Sequence, residues 1–128
     1  MTGKISAISI LVADYDQAID FYCRALGFVL KEDTAMGNKR WVVVQPAQGG
    51  SALVLAKAST PAQLQCIGQQ AAERVWLFLE TDNFARDYAN FVAAGVRFLE
   101  TPREESYATV AVFEDLYGNK WDLLQRNI

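Results

Sequence analysis

Residues 5–12, Ile-Ser-Ala-Ile-Ser-Ile-Leu-Val, form an apolar, β-branched run that stops at Ala13-Asp14, after which Ala18, Ile19, Tyr22, Ala25 and Leu26 recur at helical spacing as far as Gly27. The first stretch predicts a buried strand. The second predicts an amphipathic helix that starts at an Asp14 or Asp16 cap and stops at a glycine. Strand-like stretches follow at 28–31, 40–45 and 51–56, separated by the turn-forming Met36-Gly37-Asn38 and Gln48-Gly49-Gly50. After a cap and first-turn proline at Ser59-Thr60-Pro61, a short polar helix is predicted over 62–70, interrupted by Gly68. The order strand, helix, three strands then returns: strand 74–80, helix 83–94 with Phe84, Tyr88, Phe91 and Val92 on one face, and strands 97–99, 107–113 and 120–124.

The return keeps a constant spacing. Asp14 and Asp82, Gly27 and Gly95, and Gly50 and Gly118 are each 68 positions apart, as are Ile10 and Phe78, Leu30 and Phe98, Val44 and Val112, and Leu55 and Leu123. Punctuation and apolar positions shifted together imply a duplicated unit. The predicted fold class is α+β: two tandem βαβββ units forming a curved mixed sheet with helices on its convex side. At 128 residues and 52% hydrophobic content the chain suits a single domain. Its expected parts are a first unit at 1–58, a connector at 59–72 and a second unit at 73–128.

Charge and cysteine content narrow the partners. The net charge is −3 with both signs interspersed, which leaves no basic stripe for nucleic acid. No apolar run reaches membrane-spanning length, and no export signal is read at the start. Cys23 and Cys66 are expected to be thiols, which points to a cytoplasmic location.

Ala-Asp-Tyr-Asp at 13–16, Phe21-Tyr22 and Leu26-Gly27-Phe28 in the first unit, with Asp115-Leu-Tyr-Gly118-Asn119-Lys-Trp-Asp-Leu closing the second, resemble the vicinal oxygen chelate superfamily of glyoxalases, extradiol dioxygenases and bleomycin or fosfomycin resistance proteins. Pro102-Arg103-Glu104-Glu105 and Val110-Ala111-Val112-Phe113 are similar to stretches of glyoxalase-like members. In metal-using members, the resemblance implies ligands in the first and last strands of each unit, and these positions here are Ala7, Val54, Val75 and Asp122. Three of the four offer no lone pair, and the chain contains no histidine. A divalent ion needs several converging nitrogen or oxygen donors. No metal or other cofactor is therefore expected.

Strand alternation sorts side chains onto two faces. One phase holds Ile8, Ile10, Val12, Val42, Val44, Leu53, Leu55, Trp76, Phe78, Val110, Val112, Trp121 and Leu123, the expected helix side. The other holds Ser9, Leu11, Lys39, Trp41, Val43, Gln45, Val54, Val75, Leu77, Tyr107, Thr109, Phe113, Lys120 and Asp122, a mixed face suited to a small molecule. The candidate ligand-binding residues are Ser9, Trp41, Gln45, Arg103, Tyr107, Thr109 and Asp122. Trp41 can stack on a planar ligand or fill the hollow. Tyr107 and Thr109 can hydrogen-bond a ligand, and Arg103 can contact an anion from a loop. Asp122 either bonds a polar ligand or is neutralised by Arg103, Lys39 or Lys120, and the pairing is the preferred expectation because a bare buried carboxylate is costly.

These observations imply a metal-free small-molecule-binding protein of the glyoxalase and bleomycin-resistance type, which sequesters a drug or metabolite and is expected to be a homodimer by the resemblance. One alternative is a metal-independent isomerase or lyase using Asp122 or Glu80 as acid or base with Tyr107 as donor. A metal-dependent lyase or dioxygenase is the reading the residues argue against, and a module whose hollow is filled by its own side chains is a further one.

Overall fold

Alternation and capping set the local elements of the chain, seen here in a computed structural model that describes residues 1–127. Strand β1 spans Ala7–Val12 and helix α1 Tyr15–Asp20, the helix continuing as a π-helical turn over Phe21–Ala25. Strands β2 (Val29–Met36), β3 (Lys39–Gln45) and β4 (Ala52–Lys57) follow, then helix α2 at Pro61–Gln65. The second run is β5 (Val75–Glu80), α3 (Phe84–Ala93), β6 (Arg97–Phe98), β7 (Arg103–Glu104), β8 (Ala108–Glu114) and β9 (Lys120–Arg126). The chain divides into two compact units, the first ending at Ile67 and the second starting at Gly68.

Each unit carries its own mixed sheet, ordered β1-β4-β3-β2 in the first and β5-β9-β8-β6 in the second, with β7 also pairing β8. In both, the first and last strands run parallel and the others antiparallel. The parallel pair requires a crossover, and its helix covers one sheet face. In the first unit α1 packs over β3 and β4. Ile10, Val12, Val42, Val44, Leu53 and Leu55 are buried, together with Ala18, Tyr22 and Ala25 from the helix. In the second unit aromatic rings join the buried aliphatic side chains: Phe91 and Phe113 meet edge to face at 5.4 Å, Phe98 and Phe113 lie 5.6 Å apart, and Phe113 stacks on Trp121 at 5.8 Å. Each T-shaped or stacked pair adds about 0.5–1.5 kcal/mol beyond its buried area.

The caps differ from the repeat in one instructive way. Asp14 accepts the N–H of Gln17 at 2.8 Å, and Asn83, not Asp82, accepts the N–H of Arg86 at 3.0 Å. The equivalent caps are thus 83 − 14 = 69 positions apart, while the stop glycines Gly27 and Gly95 remain 68 apart. The π-helical turn accounts for the extra residue in the first helix. Beyond it, the Phe28 N–H reaches back six residues to the Tyr22 carbonyl, whereas the Val96 N–H reaches back five to Phe91.

A matching extra residue lies in β5. Ala7 pairs with Ala52 and Val75 with Lys120, an offset of 68, but past the bulge at Trp76 Ile10 pairs with Leu55 and Leu79 with Leu123, an offset of 79 − 10 = 69. The third long strand is displaced likewise, since Val43 pairs with Val54 and Val112 with Asp122, so 112 − 43 = 69. A one-residue slip turns every side chain to the other face. Several placements expected from the constant offset are therefore corrected. Phe78, Val110 and Val112 share the Asp122 face, while Leu77, which pairs with Trp121, and Phe113, 0% exposed, lie on the helix side.

Candidate functional site

In the first unit, the face not covered by α1 carries Ser9, Leu11, Trp41, Val43, Gln45 and Val54 by register. Trp41 is 41% exposed. Its indole N–H donates to Glu32 Oε1 at 3.1 Å, and the Thr34 hydroxyl donates to Glu32 Oε2 at 3.2 Å. Register explains the trio, because Thr34 lies opposite Trp41 and Glu32 opposite Val43 on the same face. Glu32 thus fixes the indole plane while leaving much of the ring open. Ser9 is exposed beside Val54. Gln45 is engaged internally, its amide donating to the Gly50 carbonyl at 2.6 Å and tying the turn into β4.

The end of the β2–β3 hairpin is clamped to the start of α1. Arg40 donates to both oxygens of Asp33 at 3.1 and 2.7 Å and to Asp16 at 3.0 Å, and its guanidinium lies 5.1 Å from the Tyr15 ring centre. The Arg40 hydrogen bond holds the Asp33 carboxyl below its usual range. This clamp steadies the strand that carries Trp41.

In the second unit, Asp122 sits on the face opposite Trp121 and Leu123, with Val112 across from it on β8 and the 67% exposed Phe78 beside it on β5. Among the described residues the expected ion pair of Asp122 with a cation is not made. Arg103 instead donates to both oxygens of Glu100 at 2.9 and 3.0 Å and to Glu105 at 2.7 Å, and Glu100 also accepts the Val112 N–H at 3.0 Å. Lys120 donates to the Glu73 carbonyl at 3.1 Å. Asp122 Oδ1 is buried with no hydrogen-bond partner among the described residues. Burial pushes its carboxyl above the ordinary aspartate range, with Arg103 opposing and Glu100 adding to the shift.

Two further candidates are placed differently from expectation. Thr109 pairs with Gln125, whose side chain accepts the Phe84 N–H at 2.8 Å at the start of α3, so Thr109 lies on the helix side, away from Asp122. Tyr107 lies just before β8 and is exposed, its carbonyl accepting the Asn127 N–H at 2.9 Å. Glu80 is held by Arg126 at 3.1 Å. Sequence reasoning missed Glu32, Glu100 and Phe78. Glu32 was discoverable, since an acid two positions before Thr34 on a paired strand reaches Trp41; Phe78 was hidden by the bulge.

The four positions that hold a metal in related proteins do not fit one here. Ala7, Val54 and Val75 supply only hydrocarbon, and the residues across the ladder from Val54 and Asp122 are Ser9 and Phe78. Among the described residues no group of three or more His, Cys, Asp or Glu side chains converges, and one carboxylate does not make a divalent site. Neither cysteine forms a disulfide among the described residues, and burial raises the pKa of Cys23. No helix among the described residues is long and apolar enough to cross a membrane.

Two mixed sheets, each with a crossover helix, define a glyoxalase-type α+β protein. Residues 4–123 match the profile of the Glyoxalase/Bleomycin resistance protein/Dioxygenase superfamily, and the chain belongs to that family. It is 55% identical to an uncharacterized protein of Shewanella frigidimarina, over 99% of this chain and 96% of that one. It is 35% identical to the uncharacterized protein YurT of Bacillus subtilis, over 96% and 99% respectively. Among solved structures it is similar to UcmS2, with a TM-score of 0.84 and 28% identity over 97% of this chain and 98% of that one. It is also similar to TnmS3, an antibiotic binding protein from Streptomyces sp. CB03234, with a TM-score of 0.79 and 28% identity over 99% of both chains.

Proposed function

We propose that this protein binds a small organic molecule, a drug or metabolite, without a metal, and that its role is sequestration. The observation that carries the reading is the Trp41 indole, anchored by Glu32 on an open sheet face whose neighbours Leu11, Val43 and Val54 are apolar. A pre-oriented aromatic plane beside aliphatic side chains favours a flat, largely apolar ligand, because little side-chain freedom is lost on stacking. Full-length likeness to an antibiotic binding protein supports the same class of function. Titration of intrinsic fluorescence with a panel of planar aromatic compounds tests it. Saturable quenching in the parent and none in Trp41→Phe is expected; a panel that leaves the parent spectrum unchanged sinks the reading.

A homodimer belongs to the proposal, since β2 is an edge strand exposed along its whole length and carries Val29, Leu30 and Met36 at the surface. Native mass spectrometry at several protein concentrations checks this. A second reading, a metal-independent isomerase or lyase with Asp122 as acid or base, has the burial-raised carboxyl in its favour. Glu80 suits that role less, being held by Arg126.

A further inference from the structure

Asp122 Oδ1 is a buried acceptor to which no donor is offered among the described residues. The charge around it is lopsided: Glu100 and Glu105 already take up the guanidinium of Arg103. On its own strand, the Lys120 ammonium is bonded to the Glu73 carbonyl, and on β5 Glu80 is paired with Arg126. A cation brought to Asp122 therefore meets an excess of carboxylate. Beside Asp122 in the ladder stands Phe78, exposed on the same face, with Val112 on the other side. A carboxylate next to an open aromatic ring is chemistry suited to an organic ammonium. The oxygen accepts the charged N–H, and the ring attracts the positive charge while covering the adjoining carbon.

We infer that Asp122 and Phe78 form a subsite for the ammonium group of a small cationic ligand, whose N–H donates to the Asp122 carboxylate. The inference rests on the small-molecule-binding reading and adds to it the charge of the ligand. It is independent of Trp41. Burial makes the bare carboxylate costly, and an incoming ammonium offsets that cost. Affinity for the cation accordingly rises with pH as Asp122 gives up its proton, with Glu100 resisting and Arg103 assisting the ionisation.

Three probes of one shape test this: naphthylmethylammonium, naphthylmethanol and naphthoate, each titrated into isotopically labelled protein while the Asp122 carboxyl resonance is followed. The ammonium is expected to bind about tenfold more tightly than the alcohol, to exclude the carboxylate, and to draw the Asp122 titration to lower pH. The near-isosteric Asp122→Asn should erase the preference for the cation, and Phe78→Leu should reduce it, with thermal unfolding showing that both variants fold. Equal binding of ammonium and alcohol with an unmoved Asp122 titration overturns the subsite and leaves small-molecule binding standing. Silence of all three probes also overturns the subsite, and the planar-aromatic titration of Trp41 run alongside shows whether the broader reading falls with it.

Discussion

The two units use one strand order to solve different packing problems. The first buries mostly aliphatic side chains beneath its helix, with Tyr22 and Phe28 as the aromatic contribution. The second links Phe84, Tyr88, Phe98, Phe91, Phe113, Trp121 and Trp76 in a continuous series of ring contacts. The faces turned away from their helices differ as well: an indole held by a glutamate in one, a carboxyl oxygen without a hydrogen-bond partner among the described residues beside a phenylalanine in the other. The last turn of the second unit is also the more tightly tied. Asp115 accepts from the Tyr117 and Asn119 backbones at 3.0 Å, from the Asn119 amide at 3.0 Å and from the Trp121 indole at 3.2 Å. Topology is thus shared while chemistry is not, as expected when backbone pairing sets the frame and side-chain volume is free to vary within it.

Breaking the aromatic series should have the largest effect. Phe113→Ala removes a ring touched by three others and is expected to cost about 3–5 kcal/mol, against about 2–5 kcal/mol for Leu55→Ala in the aliphatic core. Urea unfolding of both variants checks whether the second unit depends more on one residue than the first. Next, Asp115→Ala strands several N–H donors, with an expected loss of about 1.5–3 kcal/mol. Little change would mean that water replaces the carboxylate and the turn is not a fixed point.

Gly68→Ala probes the approach of the connector to that same turn. Gly68 has φ +77°, and an added Cβ would lie 2.1 Å from the Tyr117 carbonyl oxygen. The left-handed backbone alone costs about 1–2 kcal/mol for an alanine, so the total should exceed this. Thermal unfolding that places the variant within about 0.5 kcal/mol of the parent would show that the connector simply moves aside.

Asp122→Asn sharpens the contrast between the open faces through pH. The folded carboxyl lies above its unfolded value of about 3.9, so the fold favours the protonated form. That contribution is fully present below the unfolded pKa and is lost as pH rises through the folded one. The variant lacks this loss. Its stability relative to the parent should increase as pH is raised above about 4 and stay level below it. A difference independent of pH would remove the burial effect from the account. The smallest effect belongs to Trp41→Phe, which should change stability by no more than about 0.5 kcal/mol while abolishing the ligand-dependent fluorescence change.

Much of this was legible in the chain, and the misplaced parts have identifiable causes. Cap residues Asp14 and Thr60, the first-turn Pro61 and the stop glycines Gly27 and Gly95 were readable because each acts within a few positions of itself. Trp41 was readable as a candidate because its strand alternates regularly. Phe78, Thr109 and Phe113 were assigned to the wrong face because a bulge and a lengthened connection each insert one residue, and no local signal separates an inserted residue from a paired one. Arg103 and Gln45 looked available by residue type. Their donors are occupied by Glu100, Glu105 and the Gly50 carbonyl, which only proximity reveals.

By itself, then, the sequence determined the duplicated βαβββ order, the lack of a histidine, and the apolar character of one face of β1, β3 and β4. Those properties follow from composition and short-range periodicity, which need no knowledge of what folds against what. Tertiary structure decided which side each strand of the second unit turns, where the π-helical turn and the bulge absorb their extra residues, and that Asp122 is left without the cation expected to neutralise it. Register and pairing depend on contacts between positions far apart in the chain, where a single added residue reverses every side chain beyond it.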